Sequence, residues 1–219
     1  MECREHIVKV ERTARYYTLG NLGQETKTIW IVLHGYGQLA SFFIKKFNDI
    51  VDDETFIVAP EGISRFYLDE KYNRVGASWT TREHKESEAE EYVNFLNGVY
   101  HKIISQTTNN AVKINILGFS QGCATVLRWL NACDFVPEKL VLWAGFFNNG
   151  ISDLIDPQKL KGVDTYYVYG LQDEFLIMYP EITEAFREKM KLEINPKIIS
   201  YKGKHRVDEE ELKALIGTW

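Results

Sequence analysis

Cysteine is scarce in this chain: three in 219 residues, Cys3, Cys123 and Cys133, an odd number with no CxxC pair. Such a set argues against a disulfide scaffold and a cysteine-ligated zinc site, and suits a reducing, cytoplasmic compartment. Long apolar runs are missing too. Nowhere do apolar residues approach the roughly 20 consecutive positions of a membrane-crossing helix, so no membrane span is expected. Residues 1–12 interrupt their apolar positions with Glu2, Arg4, Glu5, Lys9 and Glu11 and lack the apolar centre of a secretory signal. Positive charge is not in excess. Lys and Arg number 26 against 31 Asp and Glu, a formal net charge of −5, without the basic footprint that would suggest a nucleic-acid partner. Nothing in the pattern indicates a homo-oligomer. No repeat, Pro-rich linker or composition break divides the chain, so residues 1–219 read as a single domain.

What is present is an alternation of short apolar runs with longer amphipathic segments. The runs at 29–33, 55–59, 112–117, 140–144, 165–169 and 197–201 are rich in β-branched and aromatic residues, as expected of strands buried on both faces of a mainly parallel sheet. Residues 7–10 and 15–19 alternate more weakly and suit an antiparallel edge hairpin. Ala89, Tyr92, Val93, Leu96, Val99, Tyr100 and Ile103 recur at intervals of three and four, which predicts a helix with one apolar stripe. Further helices are predicted at 121–131, at 181–191 behind Pro180, and at 208–216. The β, α, β, α order predicts an α/β fold with helices on both faces of the sheet. Residues 60–82 form the one long connection without a period. Its aromatic residues Phe66, Tyr67, Tyr72 and Trp79 suggest an ordered wall beside a site.

Chemistry concentrates after the third of these runs. Gly118, Phe119, Ser120, Gln121 and Gly122 form GxSxG between a predicted strand and a predicted helix. With glycine at about 7% of residues, the bare pattern arises by chance in a few per cent of chains, so the flanking elements carry the weight. In a sharp strand-to-helix turn the serine is strained and exposed, and side chains two positions either side would strike neighbouring backbone. The Gln121 backbone N–H then lies at a helix N-terminus, available to a developing oxyanion. A second donor is expected from Leu33-His34-Gly35-Tyr36-Gly37, directly after the first run: the Tyr36 N–H.

A serine hydroxyl needs an imidazole to take its proton and a carboxylate to orient that imidazole, in chain order Ser, acid, His. Of His6, His34, His84, His101 and His205, only His205 follows Ser120, at the end of a predicted strand. His34 reads as a loop-shaping residue. Asp173, a short turn beyond the run at 165–169, is the preferred acid over its neighbour Glu174. Asp153 and Asp156 suit capping or surface roles. Cys123, on the new helix, reads as a small core hydrophobe. The acidic residues Glu83 to Glu91 fit a helix start, where negative charge offsets the dipole.

These residues resemble the phospholipase/carboxylesterase family of α/β-hydrolases, which includes acyl-protein thioesterases and small carboxylesterases. The resemblance rests on Leu33-His34-Gly35-Tyr36-Gly37, Gly118-Phe119-Ser120-Gln121-Gly122, Tyr169-Gly170-Leu171-Gln172-Asp173 and Tyr201-Lys202-Gly203-Lys204-His205, in that order. It implies an α/β-hydrolase fold with Ser120 as nucleophile, Asp173 and His205 as its partners, and the Tyr36 and Gln121 N–H groups as the oxyanion hole. Tyr36, Gln38, Tyr169 and the stretch Gly76-Ala77-Ser78-Trp79 depart from the thioesterase pattern and favour a small-ester carboxylesterase.

The implied reaction is cleavage of carboxylic esters or thioesters through an acyl-enzyme, on a small-molecule ester or acyl substrate, with no metal or cofactor required. Acyl-protein thioesterase or lysophospholipase activity is the alternative within the class. An inactive binding protein on the same fold is the alternative outside it. A serine peptidase would be expected to carry an extra substrate-gripping domain. About 20 residues separate the runs at 140–144 and 165–169, too few for a separate lid domain. Trp79, Tyr36 and Phe119 are candidates for an apolar acyl wall.

Overall fold

The computed structural model describes residues 2–109, 111–147 and 149–219. Seven strands form the main sheet: β1 (Tyr16–Leu19), β2 (Thr28–Leu33), β3 (Thr55–Pro60), β6 (Lys113–Phe119), β7 (Lys139–Trp143), β8 (Asp164–Gly170) and β9 (Lys197–Tyr201), in the spatial order β1-β3-β2-β6-β7-β8-β9. The six predicted runs are the six parallel strands, and β1 joins β3 antiparallel at the edge. The predicted edge hairpin is a single strand. Residues 7–10 form no strand, and Ile7, Val8 and Val10 lie exposed, so among the described residues the outer edge of β1 carries no neighbouring strand.

Strand alternation sorts the core into two layers. From β2, Ile29, Ile31 and Leu33 enter one layer while Trp30 and Val32 enter the other; Leu140 and Leu142 divide from Val141 and Trp143 in the same way. The first layer is covered by α2 (Lys85–Gln106), α3 (Gln121–Ala132) and α5 (Pro180–Ile194), through residues such as Leu96, Val126 and Met190. The second is covered by α1 (Ala40–Phe43), the 3-10 turns at Ile44–Ile50, and α6 (Glu209–Ile216). The three later helices match the predicted segments. Pro180 opens α5, where its missing N–H has no intrahelical partner to lose, and the Asp208 side chain caps α6.

Two features depart from the expectations. The segment 60–82 folds in part as a hairpin of β4 (Ser64–Tyr67) and β5 (Val75–Ser78), and a single-turn helix, α4 (Glu174–Met178), precedes α5. Between β7 and β8 the described residues carry only two 3-10 turns, Ile151–Asp153 and Pro157–Leu160, and no inserted domain. The order of strands reverses between β2 and β6: the chain moves from β2 outward to β3, then returns to place β6 on the other side. In open α/β sheets, the strand ends at such a reversal leave a crevice into which residues from both sides project. The loop after β2 and the turn after β6 meet there.

Candidate active site

Ser120 sits in the turn between β6 and α3 at φ 52° and ψ −117°, a conformation that costs a non-glycine residue free energy and persists only when its surroundings enforce it. The enforcement is visible. The Ser120 N–H donates to the Trp143 carbonyl at 2.8 Å, and the turn is pressed between strands on both sides. A Cβ on Gly118 would lie 2.7 Å from the Cys123 Cα, and one on Gly122 would strike the Leu33 carbonyl oxygen and come within 2.8 Å of that of His34. Glycine at both positions is therefore a steric requirement. Gly122→Ala is expected to destabilise the protein by about 3 kcal/mol, the upper range for forcing extra volume into packed backbone. A shifted urea midpoint would register this; an unchanged midpoint would mean the turn can relax.

His205 Nε2 lies 2.9 Å from Ser120 Oγ, and His205 Nδ1 lies 2.6 Å from Asp173 Oδ2. Three residues from separate stretches of chain thus form one hydrogen-bonded row. Each is delivered by a strand end: Ser120 by β6, Asp173 by the turn after β8, His205 by the loop after β9. Asp173 is fully buried. Its second oxygen accepts the Phe175 N–H at 3.0 Å and caps α4, so the carboxylate is held at both oxygens. Glu174, the rival acid, is exposed on α4. The His205 loop is pinned in turn, since the Arg206 carbonyl accepts from both Trp143 Nε1 (2.9 Å) and Tyr201 OH (2.5 Å). The His205 ring packs against Phe119 and Phe175, with centroids 5.0 and 4.7 Å away.

The loop after β2 has its own anchor. His34 is buried and accepts the Gly62 N–H at Nε2 (2.9 Å), which leaves the proton on Nδ1 to donate to the Gly35 carbonyl (2.8 Å). Burial drives the His34 pKa down from 6.5 to about 4, so the ring stays neutral and the tautomer stays fixed. Holding the Gly35 carbonyl orients the whole trans peptide, whose other end is the Tyr36 N–H, pointing the opposite way. Among the described residues, neither the Tyr36 nor the Gln121 backbone N–H donates to a protein acceptor. Two unpaired donors beside a serine hydroxyl are what an oxyanion needs.

The candidate wall residues fall differently. Trp79 is fully buried, and its indole N–H donates to the His34 carbonyl at 2.9 Å, so it supports the loop from beneath and offers no surface to a ligand. Phe119 is also buried, under His205. Tyr36 is exposed and stacks on Phe66 of the hairpin. Phe175, which the sequence reading passed over, is 60% exposed and presents its ring beside His205. The Gln121 side chain was also unforeseen: it accepts the Trp79 N–H and donates to the Thr80 carbonyl at 2.8 Å, clamping the start of α3 to the end of β5. Cys123 is buried with Sγ 2.9 Å from the Gly118 carbonyl, and burial pushes its thiol pKa up, so it is no second nucleophile.

The profile of the phospholipase/carboxylesterase family matches residues 21–216. Comparison with curated proteins returns no match. Among solved structures, a Zea mays acyl-protein thioesterase 2 superposes with a TM-score of 0.66 at 16% identity, over 94% of this chain and 97% of that one. The esterase PE8 superposes at 0.63 and 18% identity, over 94% and 98%. A phospholipase/carboxylesterase from Dyadobacter fermentans gives 0.58 and 17%, over 96% and 98%. At these identities the likeness establishes the α/β-hydrolase fold.

Proposed function

Because the chain belongs to the phospholipase/carboxylesterase family, we propose that it is a serine hydrolase that cleaves carboxylic esters or thioesters through an acyl-enzyme on Ser120. The reading rests above all on the hydrogen-bonded row from Asp173 through His205 to Ser120, at 2.6 and 2.9 Å. Ser120 Oγ attacks the substrate carbonyl as His205 Nε2 takes its proton, and Asp173 holds the imidazolium at Nδ1. The carbonyl oxygen, now negative, meets the Tyr36 and Gln121 N–H groups. His205 returns the proton to the departing alkoxide or thiolate. A water molecule, deprotonated by the same imidazole, then cleaves the acyl-enzyme and frees the acid. No step calls on a metal or cofactor. The proposal includes a single domain over residues 1–219 and a cytoplasmic setting, in keeping with the free thiols of Cys3, Cys123 and Cys133.

A small-ester carboxylesterase is favoured over an acyl-protein thioesterase or lysophospholipase. Phe175, against His205, and Tyr36, in the loop after β2, give exposed apolar surface, whereas Trp79 and Phe119, which could have lined a deep acyl channel, are buried. The decisive experiment combines a p-nitrophenyl ester series from acetate to palmitate, an acyl thioester, and a fluorophosphonate probe mapped by mass spectrometry. Turnover falling as the acyl chain lengthens, with the probe on Ser120, is the expected result. Preference for palmitate would transfer the protein to the long-chain alternatives. No turnover above buffer and no labelled serine would leave only a binding role.

A further inference from the structure

A cavity of about 620 Å³ opens between the β4–β5 hairpin and the α1 region, lined by residues 37–39 and by Phe42, Phe43, Leu68 and Val75, with Lys46 and Arg74 also in its lining. Neither Ser120 nor His205 is among its lining residues. The volume lies within the roughly 300–1,000 Å³ typical of small-molecule sites. Phe42, Leu68 and Val75 are exposed at 66%, 38% and 38%, apolar surface left uncovered in the concavity. Two cations and no acid are among the lining residues. Lys46 is shared with Glu209 at 3.0 Å, whereas among the described residues the Arg74 guanidinium has no carboxylate partner.

The wall is built in advance. The Asp69 carboxylate accepts the backbone N–H groups of Lys71, Asn73 and Arg74, and the Leu68 N–H donates to the Arg74 carbonyl at 2.8 Å. Together they set the turn that carries Leu68 and Arg74. On the opposite side Gly37, at φ +75°, leaves room where a Cβ would come within 3.2 Å of Leu68 Cδ2, and its N–H and the Gln38 carbonyl pair with Ala77 of β5. An apolar concavity with two cations in its lining complements a molecule that is apolar along its length and negative at one end.

We propose that this cavity is a binding site, separate from Ser120, for a carboxylate-headed aliphatic ligand, with the chain against Phe42, Phe43, Leu68 and Val75 and the carboxylate at Arg74 and Lys46. The site does not depend on the hydrolase reading.

The test is calorimetric titration of the whole protein with sodium decanoate, below its micelle concentration, and with decanol. Wild type and Ser120→Ala are expected to bind one equivalent of decanoate with equal affinity, and decanol more weakly. Arg74→Ala and Lys46→Ala are each expected to weaken decanoate about fivefold, the upper range for an exposed ion pair, and to leave decanol unaffected. Leu68→Ser should weaken both. Absence of saturable binding, equal affinity for the acid and the alcohol, or indifference to Arg74→Ala and Lys46→Ala would each overturn the proposal. Loss of decanoate binding in Ser120→Ala would overturn it too, by assigning the ligand to the serine site. Since binding is read without turnover, a failed hydrolase reading and a failed cavity would be seen separately.

Discussion

Asp173→Asn is expected to lower kcat for ester cleavage about 10⁴-fold while leaving the fold intact, the scale of loss when a serine-bound imidazole is held in the wrong tautomer. The argument turns on the two oxygens of one side chain. Oδ1 accepts the Phe175 N–H as the cap of α4, and asparagine caps as well as aspartate. With its amide oxygen retained there, the variant turns an NH2 group toward His205 Nδ1, where Asp173 Oδ2 now lies 2.6 Å away. A donor facing Nδ1 requires that nitrogen to be bare, so the ring proton moves to Nε2 and points at Ser120 Oγ. The base is then blocked at the atom that must accept the serine proton. Asp173→Ala would be a poorer test, because it also removes the cap. The measurement is kcat and fluorophosphonate labelling rate for wild type and Asp173→Asn, with thermal melts as the control. A loss below tenfold with an unchanged melt would show that Asp173 does not orient the base.

The parallel strands were legible because they are buried on both faces, which leaves near-continuous apolar runs such as 29–33 and 140–144 that no surface constraint interrupts. Residues 7–10 carry the same kind of side chain but lie exposed, and with no face to bury they are not drawn onto the open edge of β1. β4, β5 and α4 were not legible. Each spans four or five residues, less than a pattern needs to establish a period, and the hairpin is held by the local Asp69 turn and by the Gln121 clamp, the latter a contact between distant positions. The positions that converge near Ser120 were legible through chain order and strand ends. What surrounds them was not. Trp79 and Phe119 have the composition of a pocket wall, yet the first supports the His34 carbonyl from beneath and the second lies under His205. Phe175 reaches His205 only because α4 turns immediately after Asp173.

His34→Phe is expected to reduce kcat about 10²–10³-fold, the usual consequence of losing an oxyanion donor, with KM little changed. Phenylalanine fills a similar volume but cannot donate to the Gly35 carbonyl, so the Gly35–Tyr36 peptide keeps only the longer bond from the Gln38 N–H (3.2 Å) and its Tyr36 N–H is aimed less firmly. That N–H acts on charge present only in the transition state, hence the effect on kcat and not on ground-state binding. The same variant should change how stability depends on pH. In the unfolded chain His34 takes a proton below 6.5, whereas in the folded protein it resists until about 4. Between those values the unfolded state binds more protons, so its share of the equilibrium grows as pH falls. The contribution is present above pH 6.5 and is lost by pH 4, amounting to roughly 3 kcal/mol. Urea unfolding at pH 7 and pH 4.5 should therefore show a steeper acid loss in wild type than in His34→Phe, whatever the baseline stability of the variant. If the pH slope vanishes while kcat stays within threefold, His34 is a buried structural histidine only, and the Tyr36 peptide is aimed by the other bonds of its loop: the Gln38 N–H on the Gly35 carbonyl at 3.2 Å, the Gly35 N–H on Gln38 Oε1 at 2.9 Å, and the pairing of Gly37 and Gln38 with Ala77.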